Sequence, residues 1–184
     1  MLFPPHLSSD DKYKRLLYIG VLAAAQPIET FAVWTVTGLA GILALIISHL
    51  DILRDAVSLC SIQWGIALLV IAMLLGALVK YIGILIRNGI AVTNSLYQHL
   101  YSPEGQSALA GIMIPPEQLS AEVAKPFFWP FRQLLERSGR KGLSDPLSAE
   151  KRFIKMLCVQ SYLFYGMCLL GAIGLLVLST GIHK

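Results

Sequence analysis

The chain has 184 residues, of which 55% are hydrophobic and 14% are charged, and its formal net charge is +4. Soluble domains carry roughly 25% charged residues, and a soluble chain of this size cannot bury so much apolar surface. An intrinsically disordered chain, a disulfide-stabilised secreted scaffold and a nucleic-acid-binding module are also poor fits to this composition. The sequence therefore indicates an all-α integral membrane protein, because helices satisfy every backbone group in lipid.

Residues 1–28 are predicted to form a cytoplasmic arm that contains an interfacial helix. A serine precedes Asp10 and Asp11, which is typical of a helix start. The helix is expected from about residue 9 to 26 and to bend at Pro27, which lacks an N–H group. A single tilted helix over residues 16–48 is the alternative.

Three stretches are long and apolar enough to cross a bilayer, which takes about 20 helical residues. They are residues 31–49, residues 64–86 with Lys80 as their single charge, and residues 156–182. The first two form a hairpin within residues 29–86, and the third lies in residues 156–184 with a short outer tail.

Residues 87–155 are less hydrophobic and are interrupted by prolines, which predicts a cytoplasmic segment of short helices. The helix of the second span is expected to continue to Tyr101 and to end at Ser102–Pro103. Further short helices are expected after Pro115–Pro116 and from Pro130, and a helix that begins at Ser144 or Asp145 should run on into the third span.

Basic residues predict the orientation of the chain. Twelve of the fifteen Lys and Arg residues lie in the N-terminal arm or in residues 87–155, whereas the connection between spans one and two and the C-terminus carry one each. The positive-inside rule therefore places the N-terminus in the cytoplasm and the C-terminus outside. We expect an integral protein of the bacterial cytoplasmic (inner) membrane.

Small residues form the clearest pattern within the spans. In span two, four of them fall within about 20° of one line on a helix: Gly65, Ala72, Gly76 and Gly83. The third span repeats this less regularly with Gly171, Gly174 and Gly181, and span one adds Thr37, Gly38 and Gly41. Small side chains let membrane helices approach closely, so we interpret these positions as helix-packing faces. Chance alignment is the alternative, because glycine is common in membrane helices.

Lys80 is the only formal charge inside a predicted span. Its long side chain can extend towards the cytoplasmic boundary, or it can pair with Glu29 at the same side of the membrane. A role in an ion or proton pathway is the alternative, because intramembrane charges often mark such pathways.

An aromatic and basic stretch in the cytoplasmic segment is typical of the headgroup boundary of a membrane. As interfacial anchors we select Phe127, Phe128, Trp129, Phe131 and Arg132. Packing of these aromatic rings on the protruding end of span two is an equally good interpretation.

Catalytic and metal-binding motifs are missing from the sequence. The four histidines and three cysteines show no metal-ligand spacing, and the chain has neither a phosphate-binding loop nor a nucleophile-elbow motif. We therefore expect no enzymatic activity, no cofactor, no metal and no small-molecule substrate.

These features predict a small polytopic protein that acts by binding other membrane proteins, or copies of itself, in the lipid bilayer. It would be a subunit of a membrane assembly, such as a secretion or conjugation machine, or an immunity-type inhibitor of a membrane-active toxin. The alternative is a self-associating pore or small transporter lined by Lys80, Glu29 or Gln160.

Overall fold

The computed structural model describes residues 9–100, 102–110, 125–126, 133 and 147–181, and about 92% of the described residues are helical. In chain order, the helices are α1 (Ser9–Leu22), α2 (Ala25–Ser48), α3 (Leu50–Ala56), α4 (Leu59–Leu100), α5 (Pro103–Ala110) and α6 (Ser148–Thr180). Three helical stretches are long and apolar enough to cross a membrane: Ser9–Ser48, Leu59–His99 and Ser148–Thr180. The predicted fold class, an all-α protein with three membrane-crossing helices, is confirmed.

The first of these stretches is interrupted before Pro27. A turn at Ala23–Ala24 separates α1 from α2, so the chain forms two helices where the alternative prediction had one. The interruption predicted at Pro27 lies instead at these two alanines. A proline is tolerated in the first turn of a helix, but its ring collides with the carbonyl four residues earlier. For Pro27 that carbonyl belongs to Ala23, which is where the helix breaks.

Helix α4 has 42 residues, which corresponds to about 63 Å, roughly twice the thickness of a hydrocarbon core. As predicted, it continues past Arg87, and it ends at Leu100. Ser102 then caps α5, since its Oγ accepts a hydrogen bond of 3.0 Å from the Gly105 N–H group. Helix α5 was not predicted from the sequence, although Ser102–Pro103 is a common helix start.

The connection between the first two spans contains the short helix α3, which was also not predicted. After it, Ser58 begins α4, and its Oγ accepts a hydrogen bond from the Ser61 N–H group at 3.3 Å. The Ser58 N–H group donates to the Gly181 carbonyl oxygen at 3.1 Å, which places the start of α4 beside the end of α6.

The chain divides into two compact units. The arm unit consists of Met1–Leu22 and Asn88–Ile154, and the span unit consists of Ala23–Arg87 and Lys155–Lys184. The hydrophobic core of the span unit draws on all three of its long helices and is formed by Ala32, Leu39, Ile46, Leu69, Ala72, Val79 and Met167.

Several predictions for the cytoplasmic segment concern residues outside the described ones. These are the short helices after Pro115–Pro116 and from Pro130, and the helix start at Ser144 or Asp145. The described part of α6 begins at Ser148 and continues without interruption into the third span, to Thr180.

Candidate functional site

The buried face of α4 in the span unit follows a heptad repeat. Its buried residues are spaced alternately three and four apart, at Ile62, Gly65, Leu69, Ala72, Gly76, Val79, Gly83 and Ile86. Apolar residues at this spacing form the contact line of left-handed helix packing. All four small residues selected in span two lie on this line, which we call the α4 seam.

The glycines of the α4 seam accommodate large side chains from neighbouring helices. A Cβ atom at Gly65 would overlap Leu178 of α6, and one at Gly76 would overlap Val36 of α2. The Gly76 position also lies 2.8 Å from the Met167 sulfur. These two glycines therefore allow side chains to pack directly against the α4 backbone, which is the role of small residues in membrane helices.

The three glycines selected in the third span, two on α6 and Gly181 just after its end, lie near the other helices of the span unit. A Cβ atom at Gly174 would lie 3.3 Å from the backbone carbonyl oxygen of Gly65, and one at Gly171 would lie 3.5 Å from the Leu39 side chain. At Gly181 the neighbouring side chain is that of Ser61. At Gly174 the backbone of α6 therefore lies against the backbone of α4 at Gly65.

The small residues of span one have a different environment. Gly38 and Gly41 are exposed, and no side chain lies within 4 Å of where their Cβ atoms would be. Exposed residues on this side of α2 lie within about 40° of one line: Thr30, Trp34, Thr37, Gly41, Ala44 and Ser48. We call this surface the outer α2 face, and it points away from the core residues Ala32, Leu39 and Ile46.

Gln160 links the three long helices inside the span unit. Its side chain is fully buried, and its Nε2 donates to the Val79 carbonyl oxygen of α4 at 3.2 Å and to the Ala25 carbonyl oxygen of α2 at 3.4 Å. Gly83 makes room for it, since a Cβ atom there would lie 2.8 Å from this nitrogen. The predicted pathway residue is therefore enclosed by helices, with its amide nitrogen bonded to backbone carbonyl groups.

Glu29 pairs with Arg87, whereas Lys80 was the candidate partner considered from the sequence. The Arg87 Nη2 lies 3.5 Å from the Glu29 Oε1, whereas Lys80 is exposed. Glu29 lies opposite Gly83, between these two bases along α4. Side chains on a helix point back towards its N-terminus, so that of Arg87 extends towards Gly83 and that of Lys80 extends away from it.

In the arm unit, the structure shows a buried polar cluster that the sequence analysis missed. Arg15 of α1 is 1% exposed and Glu150 of α6 is 4% exposed, and the Arg15 Nε donates to the Glu150 Oε1 at 3.0 Å. The Arg15 Nη2 also donates to the Asn94 Oδ1 at 3.1 Å, and its guanidinium carbon lies 4.3 Å from the centre of the Tyr97 ring. Glu150 and Asn94 also line a cavity of about 10 Å³ with apolar neighbours, among them Ile19 and Phe153.

One sequence signal could have indicated the Arg15 cluster. Arg15 lies seven residues before Leu22, so both residues share one face of α1, and both are buried. The partner Glu150 could not have been identified in this way, because it is 135 residues away along the chain.

The interfacial anchor residues Phe127, Phe128, Trp129, Phe131 and Arg132 lie outside the described residues, so their role stays a prediction. Within the described ranges there is no group of three or more His, Cys, Asp or Glu side chains that could hold a metal ion. The chain matches no protein-family model, no curated protein and no solved structure.

Proposed function

We propose that this protein is a non-enzymatic membrane protein that works by binding other membrane proteins within the bilayer. In this proposal it is a subunit of a larger membrane assembly, such as a secretion or conjugation machine, or an immunity-type inhibitor of a membrane-active toxin. Its membrane is the bacterial cytoplasmic membrane, with the N-terminus and residues 87–155 on the cytoplasmic side, as the distribution of bases predicts.

The outer α2 face is the observation that carries this proposal. Lipid-facing surfaces need no small residues, whereas surfaces that bind another helix are enriched in Gly, Ala, Ser and Thr. Five of the six residues of the outer α2 face are of these types, with Trp34 as the exception, and Gly41 at its centre has open space around it. A transmembrane helix of another protein could therefore approach the α2 backbone closely at this point.

The hydroxyl groups of the outer α2 face also fit a surface in contact with lipid or another helix. Thr37 donates to the Val33 carbonyl oxygen at 2.9 Å, and Ser48 donates to the Ala44 carbonyl oxygen at 2.8 Å. Because these bonds stay within α2, the hydroxyl groups need no water, and this face can lie in the hydrocarbon region.

The interior of the span unit favours partner binding over the alternative of a pore or small transporter. The three polar residues named for a pathway do not form a common stripe, because Gln160 is buried, Glu29 pairs with Arg87 and Lys80 is exposed. The heptad packing of α4 fills the space between the helices with apolar side chains.

The proposal can be tested by site-specific crosslinking in the native membrane. A photoreactive amino acid at Thr37, on the outer α2 face, should capture another polypeptide in a single crosslinked band. The same group at Ile47, which is 61% exposed on another side of α2, is the matched control and should capture only lipid. Recovery of the monomer alone from both positions, and from co-purification in mild detergent, would contradict the proposal.

A substitution on the outer α2 face provides the second arm of the test. Gly41→Ile fills the open space at the centre of this face and should abolish the crosslink from Thr37, because a bulky residue keeps the partner helix away. Ile47→Phe adds bulk on another side of α2 and should leave the crosslink unchanged. Ion flux through liposomes that contain the purified protein, above that of empty liposomes, would favour the pore instead.

A further inference from the structure

Large apolar side chains lie on the outside of α1, where a helix at an aqueous surface would carry polar ones. Of its five charged residues, Arg15 is only 1% exposed, whereas Leu16 is 52% exposed and Leu17 is 51% exposed. Tyr13 and Val21 are also on the outside, at 65% and 51% exposure. A helix next to water normally directs its apolar face inward and its charges outward. The outward face of residues 16–22 is therefore better suited to a non-aqueous environment than to water.

Charge is distributed unevenly along α1. Asp10, Asp11, Lys12 and Lys14 lie in its first half, whereas no acidic or basic residue occurs over residues 16–28. The outward residues of the second half are Leu16, Leu17, Gly20 and Val21, all of which are exposed. The first half is thus suited to the headgroup region, and the second half is suited to acyl chains.

The chain itself ties the second half of α1 to the membrane. Helix α1 ends at Leu22, and after the turn at Ala23–Ala24 the chain enters α2, which belongs to a membrane-crossing stretch. Leu22 and Ala25 are three residue steps apart, which span at most about 11 Å, so Leu22 cannot lie far from the start of α2. Because α1 is held this close to a membrane-crossing helix, lipid is the environment we infer for its outward face.

We propose that the second half of α1, residues 16–22, is inserted into the cytoplasmic leaflet with Leu16, Leu17 and Val21 in contact with acyl chains. The apolar face of an interfacial helix lies about 5–10 Å deep, at the boundary between headgroups and acyl chains. Arg15 lies at the boundary of the inserted half and points inward.

Arg15 lies next to the inserted residues, and its contacts within the Arg15 cluster allow a charged residue at this depth. An unpaired guanidinium group at the edge of the hydrocarbon region is costly. Arg15 instead forms an ion pair of 3.0 Å with Glu150 and donates to Asn94, with its guanidinium group over the Tyr97 ring. Its charge is neutralised inside the arm unit, and the exposed side chains of α1 beyond Lys14, those of Leu16, Leu17 and Val21, are all apolar.

Collision accessibility of single spin labels tests this inference in the full-length chain. The three native cysteines are replaced by serine, and one label is attached to each of the variants Ser9→Cys, Leu17→Cys and Val21→Cys. The labelled proteins are reconstituted into vesicles of phosphatidylcholine and phosphatidylglycerol. At Leu17 and Val21 we expect oxygen, which concentrates in lipid, to collide severalfold more often than a water-soluble nickel chelate, and at Ser9 we expect the reverse.

The control site is Ile47→Cys in α2, where the label should behave as it does at Val21, since Ile47 is exposed in a membrane-crossing helix. Collisions with the nickel chelate at Leu17 and Val21 would show that α1 lies in water and would overturn the proposal. Low collision rates with both reagents would overturn it as well, because the face would then be covered by protein. Neither result concerns the outer α2 face, so this inference and the proposed function can fail separately.

Discussion

Arg15 and Glu150 show how the surroundings of two residues decide whether a buried charge is tolerated. Each side chain has lost nearly all contact with solvent, at 2% and 5% exposure. Removing two charges from water costs several kcal/mol per ion, and a well-aligned ion pair with additional hydrogen bonds offsets this cost. Arg15 meets these conditions through its bonds to both Glu150 and Asn94. The pair therefore fixes which face of α1 points into the arm unit.

Replacing Arg15 alone should detach α1 from the arm unit. In Arg15→Leu, Glu150 stays buried without its cation, and removing one partner of a buried pair costs about 3–5 kcal/mol. We expect faster amide hydrogen exchange over residues 9–22, measured by mass spectrometry on the protein in nanodiscs. Exchange over α2 should not change, because its core residues belong to the span unit.

The double variant Arg15→Leu/Glu150→Leu separates loss of the ion pair from loss of packing volume. Replacing both members of a buried pair with apolar residues is often neutral, so exchange over α1 should return towards the wild-type rate. If the single and double variants exchange equally fast, the ion pair contributes little and Arg15 acts through the packing of its side chain alone.

At the scale of the helices, the α4 seam combines two sequence features. Its heptad spacing keeps one line of α4 facing its neighbours, and its glycines let those neighbours approach the backbone. Lipid provides no hydrophobic force between helices, so van der Waals contact over a closely packed seam has to hold the span unit together. Gly76 is central to it, with Val36 on one side and Met167 on the other.

The spans and the α4 seam could be predicted because both depend on residue type at regular spacing. The Gly65 and Gly83 positions indicate a contact face without any knowledge of the partner helix. The partner of Glu29 could not be predicted in the same way, since Lys80 and Arg87 both lie near it along the chain. Which base pairs with Glu29 depends on the direction in which side chains leave the helix, and this direction favours Arg87.

The exact position of the break before α2 also could not be predicted from the local sequence alone. Pro27 correctly indicated an interruption between an N-terminal helix and the first span. Its effect lies at the carbonyl group four residues earlier, so the turn is at Ala23–Ala24 and Pro27 itself lies in the first turn of α2. The Arg15 cluster had no comparable signal, since Asn94 and Glu150 come from distant parts of the chain.

A substitution within the α4 seam should destabilise the span unit much more than the same substitution on the outer α2 face. Gly76→Val places atoms where Val36 and the Met167 sulfur lie, and overpacking of this kind costs about 1–3 kcal/mol. Gly41→Val adds the same atoms where nothing lies within 4 Å. We expect a lower midpoint of thermal unfolding in detergent for Gly76→Val and an unchanged midpoint for Gly41→Val, and equal losses would argue against close packing at Gly76.

At the scale of the whole molecule, the distribution of bases predicts which end of each span lies in which compartment. The positive-inside rule acts through bases near the ends of the spans, and Arg87, Lys151, Arg152 and Lys155 all lie near the predicted cytoplasmic ends. Only Arg54 and Lys184 lie at the opposite ends. This asymmetry predicts that the start of α4 lies outside and that its far end, near Ser102, lies inside.

Labelling of single cysteines in intact cells tests this orientation at both ends of α4. Cys60 is exposed near the start of the helix, so it should react with a membrane-impermeant maleimide in intact cells once Cys158 and Cys168 are replaced by serine. In a second variant, Cys60 is also replaced by serine and Ser102→Cys provides the only thiol. That thiol should react only after the membrane is permeabilised, because it lies past the cytoplasmic end of the second span. The reverse pattern would place the basic residues outside and invert every span, and labelling of both thiols in intact cells would mean that α4 does not cross the membrane between them.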